Sequence, residues 1–235
     1  MPDLGCSSLE DLRDLIGDCR RCHLADGRTC LVFGVGNPRA EVMFVGEAPG
    51  KNEDLQGEPF VGAAGKFLDE LLAEAGLRRG DVYIANVLKC RPPGNRDPEA
   101  DEIETCTPFL REQIRIIAPK VLVTLGNFAT KFVLKTDVGI TRLHGSPRKL
   151  GRFTVFPSFH PAVALYDRSK QVALQEDFRA LGGLLAALSG EAAGGERAAE
   201  PDAPPSADVP EGPAGTEASA SAGPDEPEPE QTTLF

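Results

Sequence analysis

Two groups of residues in this chain have the types and spacing to do chemistry. Cys19 and Cys22 form a C-x2-C pair, and Cys90 and Cys106 follow with 15 residues between them. In a cytosolic chain such a set favours metal ligation over disulfides, and four thiolates suit either one tetrahedral zinc ion or a 4Fe-4S cluster. Spacing does not choose between the two. Cys6 and Cys30 are left over and read as ordinary thiols, which pack well as small hydrophobes. The second group lies in Val42 to Asp54, VMFVGEAPGKNED, where an apolar run stops at a Gly-Glu-Ala-Pro-Gly turn and carboxylates follow. The run reads as a strand covered on both faces, and ligands of open α/β sheets bind just beyond the carboxyl ends of such strands. Glu47, Glu53 and Asp54 therefore sit where chemistry is expected.

Positioning these groups requires a scaffold. DVYIANV (81–87) and KVLVTLG (120–126) are two further buried-strand candidates, each ending at a polar or glycine-rich turn. Helical spacing places Phe67, Leu68, Leu71, Leu72 and Ala75 on one face of 65–75, continues over 127–134, and recurs in 169–188 through Val172, Leu174, Phe178, Leu181, Leu184 and Leu185. Asp97-Pro98 reads as the N-cap and first residue of a helix running to about Ile117. A hairpin is expected within 139–156. Strands alternating with helices predict an α/β fold, a three-layer sandwich with a short parallel sheet between helices.

Composition divides the chain near Gly190. From there to Phe235 come 11 acidic residues, one basic residue (Arg197) and eight prolines among Ala, Gly and Ser. Such a segment cannot bury enough apolar surface to offset its ordering entropy, so the expected organisation is a folded domain over 1–189 and a disordered tail over 190–235. The tail holds nearly all of the formal charge of −11, leaving 24 basic and 25 acidic side chains before it. The acidic balance therefore does not exclude a nucleic-acid partner for the folded part. No apolar run approaches the roughly 20 residues of a membrane span, and the acidic N-terminus lacks a signal-peptide core. A cytoplasmic monomer with no membrane partner is expected.

Six segments, in order, carry a resemblance: C-x2-C at 19–22, GEAPGKNED at 46–54, GEPFVGAAG at 57–65, NVLKCRPPGNRDP at 86–98, Cys106, and HPAVAL at 160–165. Over about residues 10–188 the chain resembles the thermophile-type, iron-sulfur uracil-DNA glycosylases, family four of that superfamily. The resemblance implies a structural 4Fe-4S cluster held by Cys19, Cys22, Cys90 and Cys106. It also implies a repair activity that flips uracil out of DNA, hydrolyses its N-glycosidic bond and leaves an abasic site. That bond breaks through an oxocarbenium-like sugar while negative charge builds on the departing base, so the site must stabilise both.

The same resemblance gives the residues roles. Phe60 is the aromatic platform for uracil. Asn86 ends the second strand, where its amide donates to uracil O4 and accepts from N3–H, a pattern that cytosine reverses. His160 donates to uracil O2 as charge develops. Glu47 orients the attacking water; Glu53 is its rival, as a second water-polarising carboxylate or as the wall against a thymine methyl. Ala48 stands where better-known uracil-DNA glycosylases place an aspartate. Arg142, Arg148, Lys149 and Arg152 in TRLHGSPRKLGR, with Arg168 and Lys170, supply phosphate contacts. Leu165 or Tyr166 is the wedge that fills the gap left by the flipped base. His144 stands where the family more often shows Arg, which removes one expected phosphate contact.

The chain ends in QTTLF. Gln231, Leu234 and Phe235 resemble the peptide that bacterial replication proteins insert into the sliding clamp, with Thr232 departing from the residue often found second. Three rivals are weighed against this reading. A covalent uracil-DNA binder of the superfamily resembles GEQPG at the first motif and carries a reactive histidine after the second strand; KCRPPGNRDP has none. A zinc-bearing binding module would have no catalysis and no colour. A phosphate-loop enzyme would need a GKS/T ending that GEAPGKNED lacks.

Overall fold

A computed structural model describes residues 4–194. Six strands form one sheet: β1 (Val35–Gly36), β2 (Val42–Gly46), β3 (Tyr83–Asn86), β4 (Val121–Leu125), β5 (Arg148–Leu150) and β6 (Phe153–Ser158), in the order β1-β3-β2-β4-β6-β5. The four central strands are parallel and both edge strands antiparallel. Residues alternate between the faces as a pleated strand requires. Val42 and Phe44 of β2 pack on one side, Met43 and Val45 on the other.

Each face carries helices. Helices α4 (Ala63–Glu74) and α8 (Arg168–Gly194) cover the Phe44 face; α5 (Ala100–Ile117) and α6 (Asn127–Leu134) cover the Met43 face. Connectivity explains the division. The chain moves one way along the sheet from β2 to β3 and the other way from β3 to β4, so a fixed crossover hand puts α4 and α5 on opposite faces. The three-layer α/β expectation holds for the core strands; the antiparallel edges are additions to it.

Local outcomes differ from the expectations in three places. The long helix begins at Ala100 rather than at Pro98, because Glu99 is its N-cap and shares a reciprocal capping box with Glu102. The acidic loop is partly helical: α3 (Lys51–Gln56) starts directly after Gly50. The last helix runs to Gly194, past the compositional break. Short helices α1 (Leu9–Ile16), α2 (Leu24–Gly27) and α7 (Ile140–Leu143) complete the described chain, and α1 packs on α5 through a cluster containing Leu12, Ile16 and Phe109.

The layers meet most tightly where Phe178 of α8 stacks on Phe44 with ring centroids 5.9 Å apart, both rings fully buried. Phe178→Ala is expected to lose about 3–5 kcal/mol of unfolding free energy. Urea denaturation followed by circular dichroism measures it.

Candidate active site

A cleft of about 310 Å3 opens at the carboxyl edge of the sheet. Its walls come from the turn after β2, the end of β3, the loop that follows it, and the 3-10 turn Pro161–Leu165 after β6. Glu47, Ala48, Glu53, Phe60, Asn86 and His160 all line it, so segments up to 113 residues apart in sequence converge there. Asp54 does not. Its buried carboxylate turns away and accepts the Thr29 N–H at 2.9 Å, a structural tie to the N-terminal arm.

The parallel register sets Gly46 opposite Asn86. A Cβ on Gly46 would overlap Asn86 Oδ1 and lie 3.0 Å from the Phe60 ring, so only glycine leaves the amide and the ring in place. Phe60 itself has φ of 55°, a conformation that costs a non-glycine residue energy and persists only when its surroundings impose it. Here Glu53 imposes it: the carboxylate accepts Val61 N–H at 3.1 Å and Gly62 N–H at 3.3 Å, while Arg79 holds the Pro59 carbonyl at 2.6 Å. The Phe60 and His160 rings then face each other with centroids 5.4 Å apart.

Glu47 and Glu53 are chemically distinct. Glu53 is engaged by the backbone, whereas the Glu47 carboxylate accepts no hydrogen bond from any described residue. Burial, and then repulsion from Asp97, pushes the Glu47 carboxyl above the usual range. His160 accepts the Ala162 N–H at its Nδ1, 3.2 Å away, so the ring proton resides on Nε2. Burial pulls the imidazole down to about 4, against a weaker opposing pull from Glu53. The ring is therefore a neutral Nε2–H donor at ordinary pH.

The four expected cysteines gather beside this cleft. Cys90 and Cys106 are buried with Leu24 and Leu88, and Cys22 and Ala48 pack against them, so the thiol centre and the cleft share a wall. Arg28 Nη1 lies 3.3 Å from Cys90 Sγ, and Arg21 Nη1 lies 3.5 Å from Cys19 Sγ. The Lys89 main-chain N–H donates to Cys106. Cationic and N–H donors around four thiols suit an anionic metal centre. Burial, with the neighbouring Cys90 and Cys22, pushes Cys106 up to about 11, which makes metal loading a proton-releasing step. Among the described residues the one group of three metal-binding side chains with donor atoms within 4.8 Å of one another is His23, Glu99 and Glu102. Cys6 lies in the α1–α5 cluster, and Cys30 contacts the Leu55 carbonyl at 3.9 Å.

His23 is no ligand of the thiol centre in this arrangement. Its Nε2 lies 2.9 Å from Glu102, which Arg96 also grips at 2.6 and 3.0 Å. A guanidinium already fills that carboxylate pair, so the His23 group ties the C-x2-C arm to the cleft wall at Arg96.

Comparison with known proteins now decides the family. Residues 33–182 match the model of the uracil DNA glycosylase superfamily. The chain is 49% identical over 181 residues to a type-4 uracil-DNA glycosylase of Sulfurisphaera tokodaii, covering 73% of this chain and 82% of the relative. It is 48% identical over 185 residues to one from Archaeoglobus fulgidus, covering 75% and 93%. A Thermotoga maritima relative of the same name is 46% identical, with coverage of 69% and 88%. The chain belongs to the type-4 uracil-DNA glycosylases.

Around the glycosylase cleft the expected cations divide. Gly145 N–H donates to Pro157 O at 2.9 Å, which puts the α7–β5 loop, just after the exposed Arg142 of α7, at the same sheet edge as the cleft. Arg148 and Lys149 are exposed at the start of β5, and Arg168 opens α8 beyond the exposed Leu165 (47%) and Tyr166 (89%). Arg152 leaves the group: it reaches the Ile114 and Arg115 carbonyls at the end of α5, at the far edge. Lys170 lies 4.4 Å over the Phe159 ring. His144 turns inward, its Nδ1 3.0 Å from the buried Asp177 and its ring 4.3 Å from Phe159. Gln231, Leu234 and Phe235 lie outside the described residues. Sequence reasoning missed Asp97, Arg96 and Lys89. The only signal was Lys89 itself, a charge inside an otherwise apolar run ending in Cys90.

Because His160 stays neutral down to about 4, the acid limb of a reaction that needs the Glu47 carboxylate belongs to Glu47. The single-turnover rate is expected to fall with decreasing pH above the ordinary glutamate range. Asp97→Asn removes a repelling charge and moves that limb to lower pH with the plateau unchanged. A limb that does not move shows Asp97 to be irrelevant to it.

Proposed function

We propose that this cleft excises uracil from DNA by hydrolysing the N-glycosidic bond, with the side chains of this chain acting as follows. One observation carries the reading. Three polar groups line the cleft, the Glu47 carboxylate, the Asn86 amide and His160 Nε2, and none is bonded to a described residue. These groups face an open cleft with no partner among the described residues, and polar groups converging unspent on one cleft are what a ligand site offers. Uracil offers the complement: O4 and N3–H for the amide, O2 for Nε2–H, and a flat face for Phe60.

The steps follow from the geometry. Phe60 and Asn86 bind and orient the flipped base, and cytosine would leave the buried amide mispaired. His160, already neutral, donates to O2 without first losing a proton, and this bond strengthens as the base leaves with negative charge. Glu47, unengaged, orients water toward the sugar through its carboxylate and offsets the sugar's positive charge. Glu53 acts through Phe60, whose loop it holds; it is a positioning residue rather than the water carrier. Ala48 gives the base a small apolar wall. Arg142, Arg148, Lys149 and Arg168 take phosphates, and Leu165 enters the stack.

Cys19, Cys22, Cys90 and Cys106 would hold a 4Fe-4S cluster. Its contribution when bound is structural, joining the N-terminal arm, the loop after β3 and α5 by metal–thiolate bonds. A brown purified protein supports this assignment; a colourless, zinc-loaded one overturns it.

The brown protein is expected to release free uracil from a uracil-containing oligonucleotide and to leave alkali-labile sites at uracil but not at cytosine or thymine. Absence of cleavage by folded, iron-loaded protein refutes the function. Asn86→Asp replaces a donor with a repelling carboxylate and should slow uracil release on the order of a hundredfold.

QTTLF is proposed as a sliding-clamp address that raises the enzyme's local concentration at replicating DNA. A fluorescent peptide of the last ten residues should bind purified bacterial clamp saturably, and Leu234→Ala with Phe235→Ala should abolish it. No binding at high micromolar clamp removes the address.

A further inference from the structure

Lys89 is an unusual residue for its place. Its side chain is 1% exposed and pairs with no carboxylate among the described residues. Nζ donates to the Asn86 carbonyl at 2.8 Å and to Gln113 Oε1 at 2.7 Å, and Gln113 in turn donates to Phe33 O at 2.8 Å. Gln113 stands two helical turns beyond Cys106 on α5. The Lys89 main-chain N–H meanwhile donates to the Cys106 sulphur. One residue thus touches a sulphur of the thiol centre and the peptide that carries Asn86.

We infer that Lys89 is a positioning residue coupling the four-cysteine centre to base recognition, setting through the Asn86 carbonyl where the amide of that residue stands in the cleft. The inference rests on the proposed roles of Asn86 and of the cysteines. Its physical basis is the peptide between Asn86 and Val87. Val87 N–H is bonded to Gly46 O at 2.9 Å, and on the other side the carbonyl is held by Lys89 Nζ. Gly46 leaves no slack around Asn86 Oδ1. A tilt of this peptide must therefore move the amide, and a tilt is the expected response when a buried carbonyl loses its donor. A shift of Cys106 or of α5 reaches the same carbonyl through Lys89 and Gln113.

The test uses full-length, iron-loaded protein and three variants: Lys89→Met, Gln113→Met and Tyr83→Phe. Methionine fills the lysine volume without donating. Tyr83 accepts a 3.4 Å contact from Gln113 on the side away from Asn86 and serves as the control. Iron content, the midpoint potential of the brown centre, the affinity for a uracil oligonucleotide and the single-turnover rate are measured. Lys89→Met is expected to retain iron, to bind the oligonucleotide within about twofold of wild type, and to cleave about tenfold more slowly. Its midpoint is expected to shift, since the main-chain N–H that donates to the Cys106 sulphur belongs to a residue anchored by the Nζ bonds that the variant loses. Tyr83→Phe should cleave within about twofold of wild type. Iron-loaded Lys89→Met with wild-type rate and potential overturns the inference, as does an equal loss of rate in Tyr83→Phe, which would signify general loosening. If Lys89→Met does not accumulate with iron, Gln113→Met decides: slower cleavage with full iron supports the coupling, and wild-type cleavage overturns it. If wild type itself releases no uracil, the proposed function fails, and the midpoint shift still reports whether Lys89 faces the centre.

Discussion

The missing side chain at Gly46 is the constraint on which the site depends. Parallel pairing of β2 with β3 is set by burial of both strands on both faces, because a one-residue slip would send every side chain of a strand to the opposite helical layer. That register places position 46 against Asn86, and the Phe60 ring descends into the same space from the loop before α4. Three segments can occupy one volume only because one contributes no Cβ. Fold energetics therefore fix the site: the apolar faces that lock the register also lock the distance between a ring and an amide.

Around that point, polar groups fall into two kinds. Asp54, Glu53, Glu102, Asp177 and Lys89 are buried or half-buried and engaged, with Thr29, the Val61–Gly62 backbone, Arg96, His144 and Asn86 as partners. Each of these bonds contributes only about 1 kcal/mol net, but losing one partner leaves a buried group costing about 1–3 kcal/mol, so they act chiefly as geometric locks. The second kind, Glu47, the Asn86 amide and His160 Nε2, faces the cleft and is unengaged. The first kind holds the second in place. This contrast separates Glu53 from Glu47 more sharply than their shared motif does, since Oε1 of Glu53 is held by two backbone N–H groups while neither Glu47 oxygen is bonded to a described residue.

Much of this was legible in the sequence. The apolar runs ending in Gly46, Asn86 and Gly126 announced parallel strands, and period-3.6 spacing announced the helices that cover them. The motif order brought Glu47, Ala48, Glu53, Phe60, Asn86 and His160 to one cleft, though Arg96 in its wall was missed. What was not legible depends on three-dimensional closure. Asp54 and Glu53 look alike in GKNED, yet one points to Thr29 and the other to the Phe60 loop, because α3 begins at Lys51 and rotates successive side chains by about 100°. Arg152 looked like part of a basic cluster, but the β5–β6 hairpin carries it to the opposite edge of the sheet. Asp97-Pro98 had the composition of a helix start; the capping geometry one step later, at Glu99, prevailed.

Electrostatics then has to reconcile an acidic cleft with a polyanionic substrate. Glu47, Glu53 and Asp97 all lie at the edge that DNA must approach, within a domain of nearly balanced charge. Glu53 is bonded to the backbone and Glu47 is partly desolvated, so both are recessed, while Arg142, Arg148, Lys149 and Arg168, the proposed phosphate contacts, are exposed. At a screening length of about 8 Å the phosphates sense the exposed cations before the recessed carboxylates. Approach is thus governed by the exposed cations and weakens with salt in proportion to the phosphates they neutralise. The recessed carboxylates act only on what is inserted into the cleft. On the proposed roles, a flipped deoxyribose brings a developing positive charge to Glu47 while its phosphates stay with the arginines, so the same carboxylate that would repel a backbone lying in the cleft would stabilise the sugar that enters it.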